Sequence, residues 1–213
     1  MSYIILGLQG SGKGTQADIL AEKIGYAHVE SGKILRAKAE KDEKIRAMLQ
    51  EGAIVPDIDT LAFIESYIRE HGFDVGKIIF DGYPRKVAQY HLLSDFLRKH
   101  GQKIEGVIYL SLPDEVGMAR ISSRVTCRKC GRVFNTVTNP SKVPGKCDDC
   151  GGELYTRDDD QPETIKKRIT IYHTNTEPIL DLARADNILI EINGDQPIEK
   201  IASDLELALK ISK

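Results

Sequence analysis

Short, nearly continuous apolar runs alternate along the chain with longer segments in which apolar residues recur at helical spacing. Runs of this kind are typical of strands in a parallel sheet, because helices cover both faces of such a sheet. The runs predict strands over residues 3–6, 27–30, 77–81, 106–110 and 188–192. Since helical segments separate these strands, the pattern predicts right-handed crossovers and an α/β fold with a five-stranded parallel sheet flanked by helices.

The helical segments carry start and stop signals. Apolar residues at helical spacing predict a helix over residues 58–68 that ends at Gly72, and another over about residues 86–100. Pro113 and Pro197 suit the first turns of two more helices.

Two segments interrupt the alternation. Residues 31–55 are helical and charged without a sheet strand, and residues from about 125 to 160 contain glycine, proline, asparagine and all the cysteines. We interpret both as insertions into one core. The predicted division is a core of residues 1–30, 56–122 and 161–213, a helical insertion over 31–55, and a lid over 123–160.

A helix is expected to restart after the second insertion. Asp160 and Glu163 have the spacing of a capping box, in which the aspartate caps the first turn. We therefore predict Asp160 as the N-cap of a long helix.

Composition and charge narrow the class of protein. A chain of 213 residues with 41% hydrophobic residues forms one large domain with insertions, and wholesale disorder is excluded. The formal net charge of −2 does not favour a nucleic-acid binder. No apolar run has the length of a membrane span or of a signal peptide, so we expect a cytoplasmic protein without a membrane partner.

A glycine-rich segment directly follows the first predicted strand. Gly7, Gly12 and Lys13 fit the G-x-x-x-x-G-K pattern of a phosphate-binding loop, and the hydroxyl that normally follows the lysine is displaced to Thr15 by Gly14. Glycines let the backbone wrap an anion, the following helix directs its positive end at it, and the lysine reaches the terminal phosphates. The segment predicts nucleotide binding.

Two C-x-x-C pairs, sixteen residues apart, account for every cysteine of the chain: Cys127, Cys130, Cys147 and Cys150. Four thiolates at this spacing are typical of a closed, structural zinc site that serves as the folding nucleus of a small segment. Two disulfides or another metal such as iron are the alternatives. Zinc ribbons also bind nucleic acid, and this one is basic through Arg128, Lys129, Arg132, Lys142 and Lys146.

The phosphate loop with its extra glycine resembles that of nucleoside monophosphate kinases, and the resemblance to the adenylate kinase family extends over the whole chain. Family-like blocks occur in order at Gln16, residues 31–36, 81–85 with Gln89, 120–124, 156–160 with Arg168, and 193–197. The resemblance implies the Mg²⁺-dependent reaction ATP + AMP ⇌ 2 ADP, a long zinc-bearing lid, and a monomer that binds ATP, AMP and ADP and no nucleic acid.

The resemblance also implies the roles of individual residues. The catalytic residues would be Lys13, Asp81, Arg85, Arg124, Arg157 and Arg168. ATP would be bound by Gly10, Ser11, Gly12, Lys13, Gly14, Thr15, Arg120, Arg124, Val133, Phe134 and Gln196. AMP would be bound by Ser31, Arg36, Ala53, Ile54, Val55, Gly82, Tyr83, Pro84, Arg85, Gln89, Arg157 and Arg168. Each cysteine of the cluster would be a ligand of Zn²⁺.

General chemistry agrees with these assignments. Phosphoryl transfer requires charge neutralisation, alignment and exclusion of water, and arginine binds phosphate oxygens in pairs. Asp81 ends an apolar strand, where its carboxylate would reach Mg²⁺ through water. Asp159 and Asp160 would orient the arginines, since a phosphate acceptor needs no general base. The histidines fall in no motif, so structural or surface roles are expected for them.

Three positions depart from the family pattern: Lys33 replaces an aspartate, Val125 replaces a second arginine, and Tyr83 replaces a phenylalanine. The first two put full activity and strict AMP preference in doubt. The alternatives are another nucleoside monophosphate kinase, an AMP kinase that uses GTP, and, from another class, a zinc-ribbon nucleic-acid-binding P-loop protein without kinase activity.

Overall fold

The computed structural model describes residues 1–211 of the chain, so the last two residues of the predicted core lie outside it. The strands are β1 (Ser2–Gly7), β2 (Ala27–Glu30), β3 (Ile78–Asp81), β4 (Ile104–Ser111), β5 (Arg124–Cys127), β6 (Val133–Asn135), β7 (Leu154–Tyr155) and β8 (Leu189–Asn193). The α-helices are α1 (Lys13–Ile24), α2 (Ser31–Ala39), α3 (Glu43–Gln50), α4 (Asp57–Glu70), α5 (Val87–Lys99), α6 (Asp114–Ser122), α7 (Pro162–Ile171), α8 (Pro178–Ala185) and α9 (Ile198–Ala208).

The central sheet is parallel and has the strand order β2-β3-β1-β4-β8. This arrangement confirms the predicted α/β fold and its five strands. The main difference in bounds is at β4, which extends over eight residues where five were predicted. The added residues Glu105 and Ser111 are polar and partly exposed, so they interrupt the apolar run, and the buried Ile104 lies beyond Glu105.

Alternate residues of the central strand pack against different helices. Ile4 and Leu6 of β1 belong to a buried cluster with α4, α5 and α8, whereas Ile5 points to the opposite face and packs with α1 and α9. Burial of each such side chain contributes about 1.5–3 kcal/mol. Two apolar faces therefore hold the sheet between helices and fix its position.

The carboxyl ends of three neighbouring strands meet at one edge of this sheet. Gly7 ends β1, Asp81 ends β3 and Glu30 ends β2, and Glu30 lies in register with Asp81. Ligands of open parallel sheets bind at this edge. The fold thus brings the glycine-rich loop, an aspartate and a glutamate to the same place.

A second, small sheet lies in the lid segment. Strands β5, β6 and β7 form an antiparallel sheet in the order β6-β5-β7, with a small apolar cluster that includes Phe134 and the thiol-bearing residues Cys127 and Cys147. The first insertion consists of α2 and α3, and it has its own cluster around Leu35 and Ile45.

The predicted N-cap at Asp160 is wrong, although the helix does restart in this region. Helix α7 begins at Pro162 with Gln161 as its N-cap, and no side chain caps it. The Asp160 carboxylate instead accepts hydrogen bonds from Arg124 and Arg168. A charge-assisted contact with guanidinium groups competes successfully with a backbone cap. The helical stretch is also broken, because a π-helical turn at Tyr172–Thr176 separates α7 from α8.

Membrane-spanning helices can be assessed for residues 1–211. Among them, no helix combines the length and the apolar character needed to cross a bilayer.

Candidate active site

The glycine-rich loop connects β1 to α1 and is built to expose backbone N–H groups. At Gly7 a Cβ atom would lie 2.6 Å from the carbonyl oxygen of Leu110, so a side chain does not fit there. Gly12 has a φ of 90° and is the N-cap of α1, which no side chain caps. The uncapped N-terminus leaves helix N–H groups free to bind an anion, in addition to the positive end of the helix dipole.

Lys13 lies at the first position of α1 and folds back over the loop. Its Nζ donates hydrogen bonds to the carbonyl oxygens of Gly7 and Leu8 at 2.7 and 2.8 Å. Burial lowers the pKa of Lys13 to about 8, although the nearby Asp81 raises it and Arg85 lowers it further. The ammonium group is thus held at the loop with weak partners and is available for stronger, anionic ones.

Ser11 adds a polar group that has no partner among the described residues. Its side-chain oxygen is buried and forms no hydrogen bond. A buried, unpaired hydroxyl costs free energy, so its presence inside the loop indicates a place for a polar ligand.

Asp81 is buried at the end of β3, next to the loop. A Cβ atom on Gly14 would lie 3.5 Å from its Oδ2, which shows how closely the carboxylate approaches the start of α1. The imidazole of His28 lies between two carboxylates, with Nδ1 2.7 Å from Asp18 and Nε2 3.5 Å from Asp81. Burial lowers the pKa of His28, but the two aspartates outweigh it and raise that pKa to about 10.

The loop forms one wall of a cleft of about 320 Å³. The cationic residues that line it are Lys13, Arg36, Arg85, Arg120, Arg124, Arg157 and Arg168. The remaining predicted residues on its wall are Gly10, Ser11, Gly12, Gly14, Thr15, Asp81, Gly82, Pro84, Val133, Phe134 and Gln196. The structure therefore brings together side chains from the phosphate loop, the helical insertion, the lid and α7.

Aspartates hold two of these arginines. Arg124 donates to the two carboxylate oxygens of the fully buried Asp160 at 2.9 and 2.5 Å, and Arg168 donates to the same carboxylate at 3.2 Å. Arg168 also donates to the Asp159 carboxylate at 3.1 Å. The two aspartates thus orient arginines, as the sequence predicts, and the contact joins the lid strand β5 to helix α7.

The guanidinium groups are close enough to repel one another. Burial lowers the pKa of Arg85, Arg157 and Arg168, and neighbouring arginines lower it further. All three stay charged at neutral pH, because an arginine starts from a very high pKa. A cleft with this excess of positive charge favours ligands that carry several negative charges.

The predicted ATP-side residues outside the loop are tied to the end of β8. Arg120 donates to the Gly194 carbonyl oxygen at 2.8 Å and to Asp195 at 3.0 Å. Gln196 donates to the Asn193 carbonyl oxygen at 2.8 Å and still lines the cleft. The turn after β8 and the helix α6 therefore form a single wall.

Some of the residues predicted to bind AMP lie outside the wall of this cleft. Among the described residues on the cleft wall, Ser31, Tyr83, Gln89 and the segment 53–55 are absent. The hydroxyl groups of Ser31 and Tyr83 are buried and unpaired, which leaves polar groups for a ligand.

Gln89 is predicted to bind AMP, yet its side chain is buried and both ends of its amide have protein partners. Its Nε2 donates to Asp57 at 2.9 Å, and its Oε1 accepts from the backbone N–H of Arg85 at 2.7 Å. One further N–H and one lone pair of the amide remain for a ligand.

Lys33, the main departure from the family pattern, is exposed on α2. Its Cε would lie 3.9 Å from a Cβ atom on Gly131, so the side chain extends towards the first cysteine pair of the lid. Val125 lies in β5 and pairs with Phe134 of β6.

The cysteines converge as predicted, and the sulfur atoms of all four lie within 4.8 Å of one another. The sulfur atoms of Cys127 and Cys150 are 3.5 Å apart, and those of Cys130 and Cys147 are 3.6 Å apart. These distances are too long for disulfide bonds, and they suit four sulfurs that each lie about 2.3 Å from a tetrahedral zinc ion. The cluster therefore fits a structural metal ion.

Sequence reasoning missed several residues of this site. Glu30 lines the cleft and accepts a hydrogen bond from Arg36, and His28 contacts Asp81. Asn135, Thr138 and Asn139 of the lid also face the cleft. Glu30 ends the predicted strand 27–30, so its position at the carboxyl end of the sheet, where ligands bind, was predictable. No pattern in the sequence indicates the lid residues.

The fold and the site together define a class. The first strand of the parallel sheet leads into an anion-binding glycine loop, a lysine starts the next helix, and the adjacent strand carries an acidic residue. This combination is typical of P-loop nucleotide-binding proteins, and the chain belongs to that class.

Comparisons with known proteins identify the family. The model of the adenylate kinase family matches residues 5–188. An adenylate kinase of Archaeoglobus fulgidus is 37% identical over 99% of this chain and 98% of its own length. An adenylate kinase of Methanothrix thermoacetophila is 38% identical over 98% of this chain and 98% of its own length. An adenylate kinase of Streptomyces avermitilis is 37% identical over 99% of this chain and 97% of its own length. The chain belongs to the adenylate kinase family, and it is a phosphotransferase of the nucleoside monophosphate kinase type.

Proposed function

We propose that the protein catalyses the reversible, Mg²⁺-dependent reaction ATP + AMP ⇌ 2 ADP and so balances the adenine nucleotides of the cytoplasm as a monomer. The convergence of Lys13 and six arginines on one cleft beside Asp81 is the observation that carries the proposal. Phosphoryl transfer between two nucleotides brings together more negative charge than either nucleotide carries alone, and this cleft supplies the opposite charge.

The donor half of the site would be the phosphate loop with the wall formed by α6 and the turn after β8. Loop N–H groups and Lys13 would bind the terminal phosphates of ATP, and Arg120 and Gln196 would lie beside its adenosine with Val133 and Phe134 of the lid. The unpaired hydroxyl of Ser11 would gain a partner there.

The acceptor half would be the opposite side of the cleft. Arg36 and Arg85 would bind the phosphate of AMP, while Ser31, Gly82, Tyr83, Pro84, the segment 53–55 and Gln89 would surround its base. The buried, unpaired hydroxyl groups of Ser31 and Tyr83 support a polar ligand at this place. Gln89 would use the N–H and the lone pair that Asp57 and Arg85 leave free.

Transfer itself would depend on Arg124, Arg157 and Arg168. Their guanidinium groups would stabilise the charge on the transferred phosphoryl group, and the carboxylates of Asp159 and Asp160 would keep two of them aligned. No general base is needed, because the attacking oxygen belongs to a phosphate that is already an anion at neutral pH.

Two bound metals complete the proposal. Mg²⁺ would neutralise phosphate charge and would be held through Asp81, whose buried carboxylate lies beside the loop. Zinc would be bound by Cys127, Cys130, Cys147 and Cys150 and would be structural, because four thiolates leave no open coordination position.

The insertions would act as covers. Residues 31–55 and 123–160 would move relative to a core of residues 1–30, 56–122 and 161–211, and their closure would exclude water, which competes with AMP for the phosphoryl group. Support comes from Arg36 on the first insertion and Arg124 and Arg157 on the second, since each cover brings an arginine to the cleft.

A coupled phosphotransfer assay on purified protein tests the proposal. A panel of AMP, GMP, CMP and UMP as acceptors, each with ATP or GTP as donor, should give transfer with ATP and AMP far above every other pair, and chelation of Mg²⁺ should abolish it. Preference for another acceptor or for GTP would assign a different monophosphate kinase. Absence of transfer with any pair, combined with binding of nucleic acid in a gel-shift assay, would refute the proposal.

A further inference from the structure

Glu30 is, besides Asp81, an acidic residue on the wall of a cleft whose other charged residues are cations. It is the last residue of β2, it lies in register with Asp81, and it lines the cleft. It also precedes α2, the helix that carries Arg36.

Glu30 and Arg36 form a close ion pair. Arg36 Nη2 donates to Glu30 Oε1 at 2.7 Å, and both side chains are about one-third exposed. The pair lies over Gly32, where a Cβ atom would be 3.0 Å from Arg36 Nη1 and 3.2 Å from Glu30 Oε1. The absence of a side chain at position 32 therefore leaves room for this contact.

The carboxylate is charged. Burial raises the pKa of Glu30, but Arg36 above all, and then Arg157 and His28, lower it below its ordinary value. The cleft without a ligand thus contains its own anion, which compensates part of the mutual repulsion between Arg36 and Arg157.

A phosphate and this carboxylate compete for the same guanidinium group. Arginine binds a phosphate most strongly through two parallel N–H groups, and the contact with Glu30 already uses Nη2 of Arg36. A dianionic phosphate on Arg36 would either displace Glu30 or lie next to it and be repelled. Either event weakens binding of the acceptor.

We propose that Glu30 is an internal competitor for the acceptor's phosphate: it holds Arg36 in the empty cleft, must release it when a nucleoside monophosphate binds, and thereby sets the affinity for that substrate. This inference rests on the proposed function, since it takes Arg36 as a phosphate ligand of the acceptor. It explains why an acidic side chain lies in a phosphate cleft.

Calorimetric titration of the full chain with AMP and, separately, with ATP tests the inference. In Glu30→Gln the dissociation constant for AMP should fall about tenfold, while that for ATP should stay within about twofold of the wild-type value. Glu40→Gln is the matched control, because Glu40 is an exposed glutamate at the end of α2 whose side chain forms no ion pair within residues 1–211. It should leave both constants unchanged.

Unchanged or weaker binding of AMP by Glu30→Gln would overturn the inference, since Glu30 would then be inert or would merely orient Arg36. Should that variant fold poorly, a crystal structure of the wild type with AMP decides. The distance from Arg36 Nη2 to the Glu30 carboxylate should exceed 4 Å, and a retained contact of 2.7 Å contradicts the inference.

A wild type that phosphorylates AMP, but whose Glu30→Gln variant gains no affinity for it, refutes this inference alone. A wild type that phosphorylates no nucleoside monophosphate refutes the proposed function and this inference with it.

Discussion

At the scale of one residue, Lys13 shows how a cation of an anion-binding site is held in position before any anion binds. Its ammonium group donates to the carbonyl oxygens of Gly7 and Leu8, and burial lowers its pKa. Neutral carbonyl partners stabilise a charge less than phosphate oxygens do. Binding of a nucleotide therefore exchanges weaker hydrogen bonds for stronger ones at a position that is already set.

Replacement of Lys13 by methionine should reduce the turnover number by about a thousandfold, because a positioned charge at the transferred phosphate is removed. The fold should persist, since the only hydrogen bonds of this side chain within residues 1–211 go to carbonyl groups of the loop. Lys23→Met, at the other end of α1, is the control and should keep wild-type turnover. Wild-type turnover in Lys13→Met would refute the role of the phosphate loop.

The pKa of Lys13 near 8 predicts a pH dependence of ATP binding in the free enzyme. Below pH 8 the ammonium group is charged, and the affinity for ATP should be at its maximum. As the pH rises above about 8 the proton is lost, and the affinity for ATP should approach a tenfold decrease for each further pH unit. Titration of ATP binding between pH 7 and 10 measures this. In Lys13→Arg the charge persists over this range, and the decline should be absent. A flat wild-type profile would contradict the assigned pKa.

Sequence reasoning was strong at this scale where a short motif carries the chemistry, and weak where chemistry depends on distant pairing. The phosphate loop could be predicted because its residues are consecutive. The contact between Arg124 and Asp160 joins residues 36 positions apart, and the same aspartate had the spacing of a helix cap. The local pattern wrongly favoured the cap, although the chemistry of phosphoryl transfer already indicated that Asp160 orients arginines; only the tertiary structure shows which two arginines it contacts.

At the scale of elements, Asp160 joins the lid to helix α7. Its buried carboxylate binds Arg124 of β5 and Arg168 of α7. In Asp160→Asn one charge of a buried network is lost, and the free energy of unfolding should fall by about 3 kcal/mol. Denaturant unfolding measures this, and turnover should fall as well because both arginines lose their orientation.

Asp158→Asn is the matched control for this variant. Asp158 belongs to the same short turn, but its side chain is exposed and forms no hydrogen bond within residues 1–211. Equal losses of stability in the two variants would show that Asp160 has no special role.

The lid has a core of only a few side chains around Phe134, so the proposed zinc ion would contribute much of its stability. In Cys127→Ser one thiolate ligand is lost, so the metal content should fall from about one zinc ion per chain and the melting temperature of the lid should fall with it. Elemental analysis and thermal unfolding measure the two effects.

Val137→Ser changes an exposed valine of the same lid and should affect neither quantity. If the wild type contains much less than one metal ion per chain and chelators leave its unfolding unchanged, the zinc assignment is wrong.

The elements themselves were largely predictable because burial of both sheet faces leaves a simple apolar pattern. Strands β1, β2 and β3 lie within one residue of the predicted bounds. The small lid sheet was not predicted in detail, since its strands have two to four residues and cysteines take the place of a core. Short strands that a metal site organises have no hydrophobic periodicity.

At the scale of the whole molecule, the parallel sheet brings separate parts of the chain to one cleft. The loop follows β1, Glu30 ends β2, Arg36 lies in the next helix α2, and Asp81 ends β3. The lid and α7 add Arg124, Arg157 and Arg168. We therefore make the central claim that two anionic nucleotides bind end to end in this cleft.

A crystal structure with a bisubstrate analogue, two adenosines joined by five phosphates, tests that claim most directly. The account predicts one molecule per chain, with its phosphates between Lys13 and the arginines at positions 36, 85, 124, 157 and 168. An analogue that binds elsewhere, or one whose phosphates leave Lys13 and these arginines without contact, would contradict it.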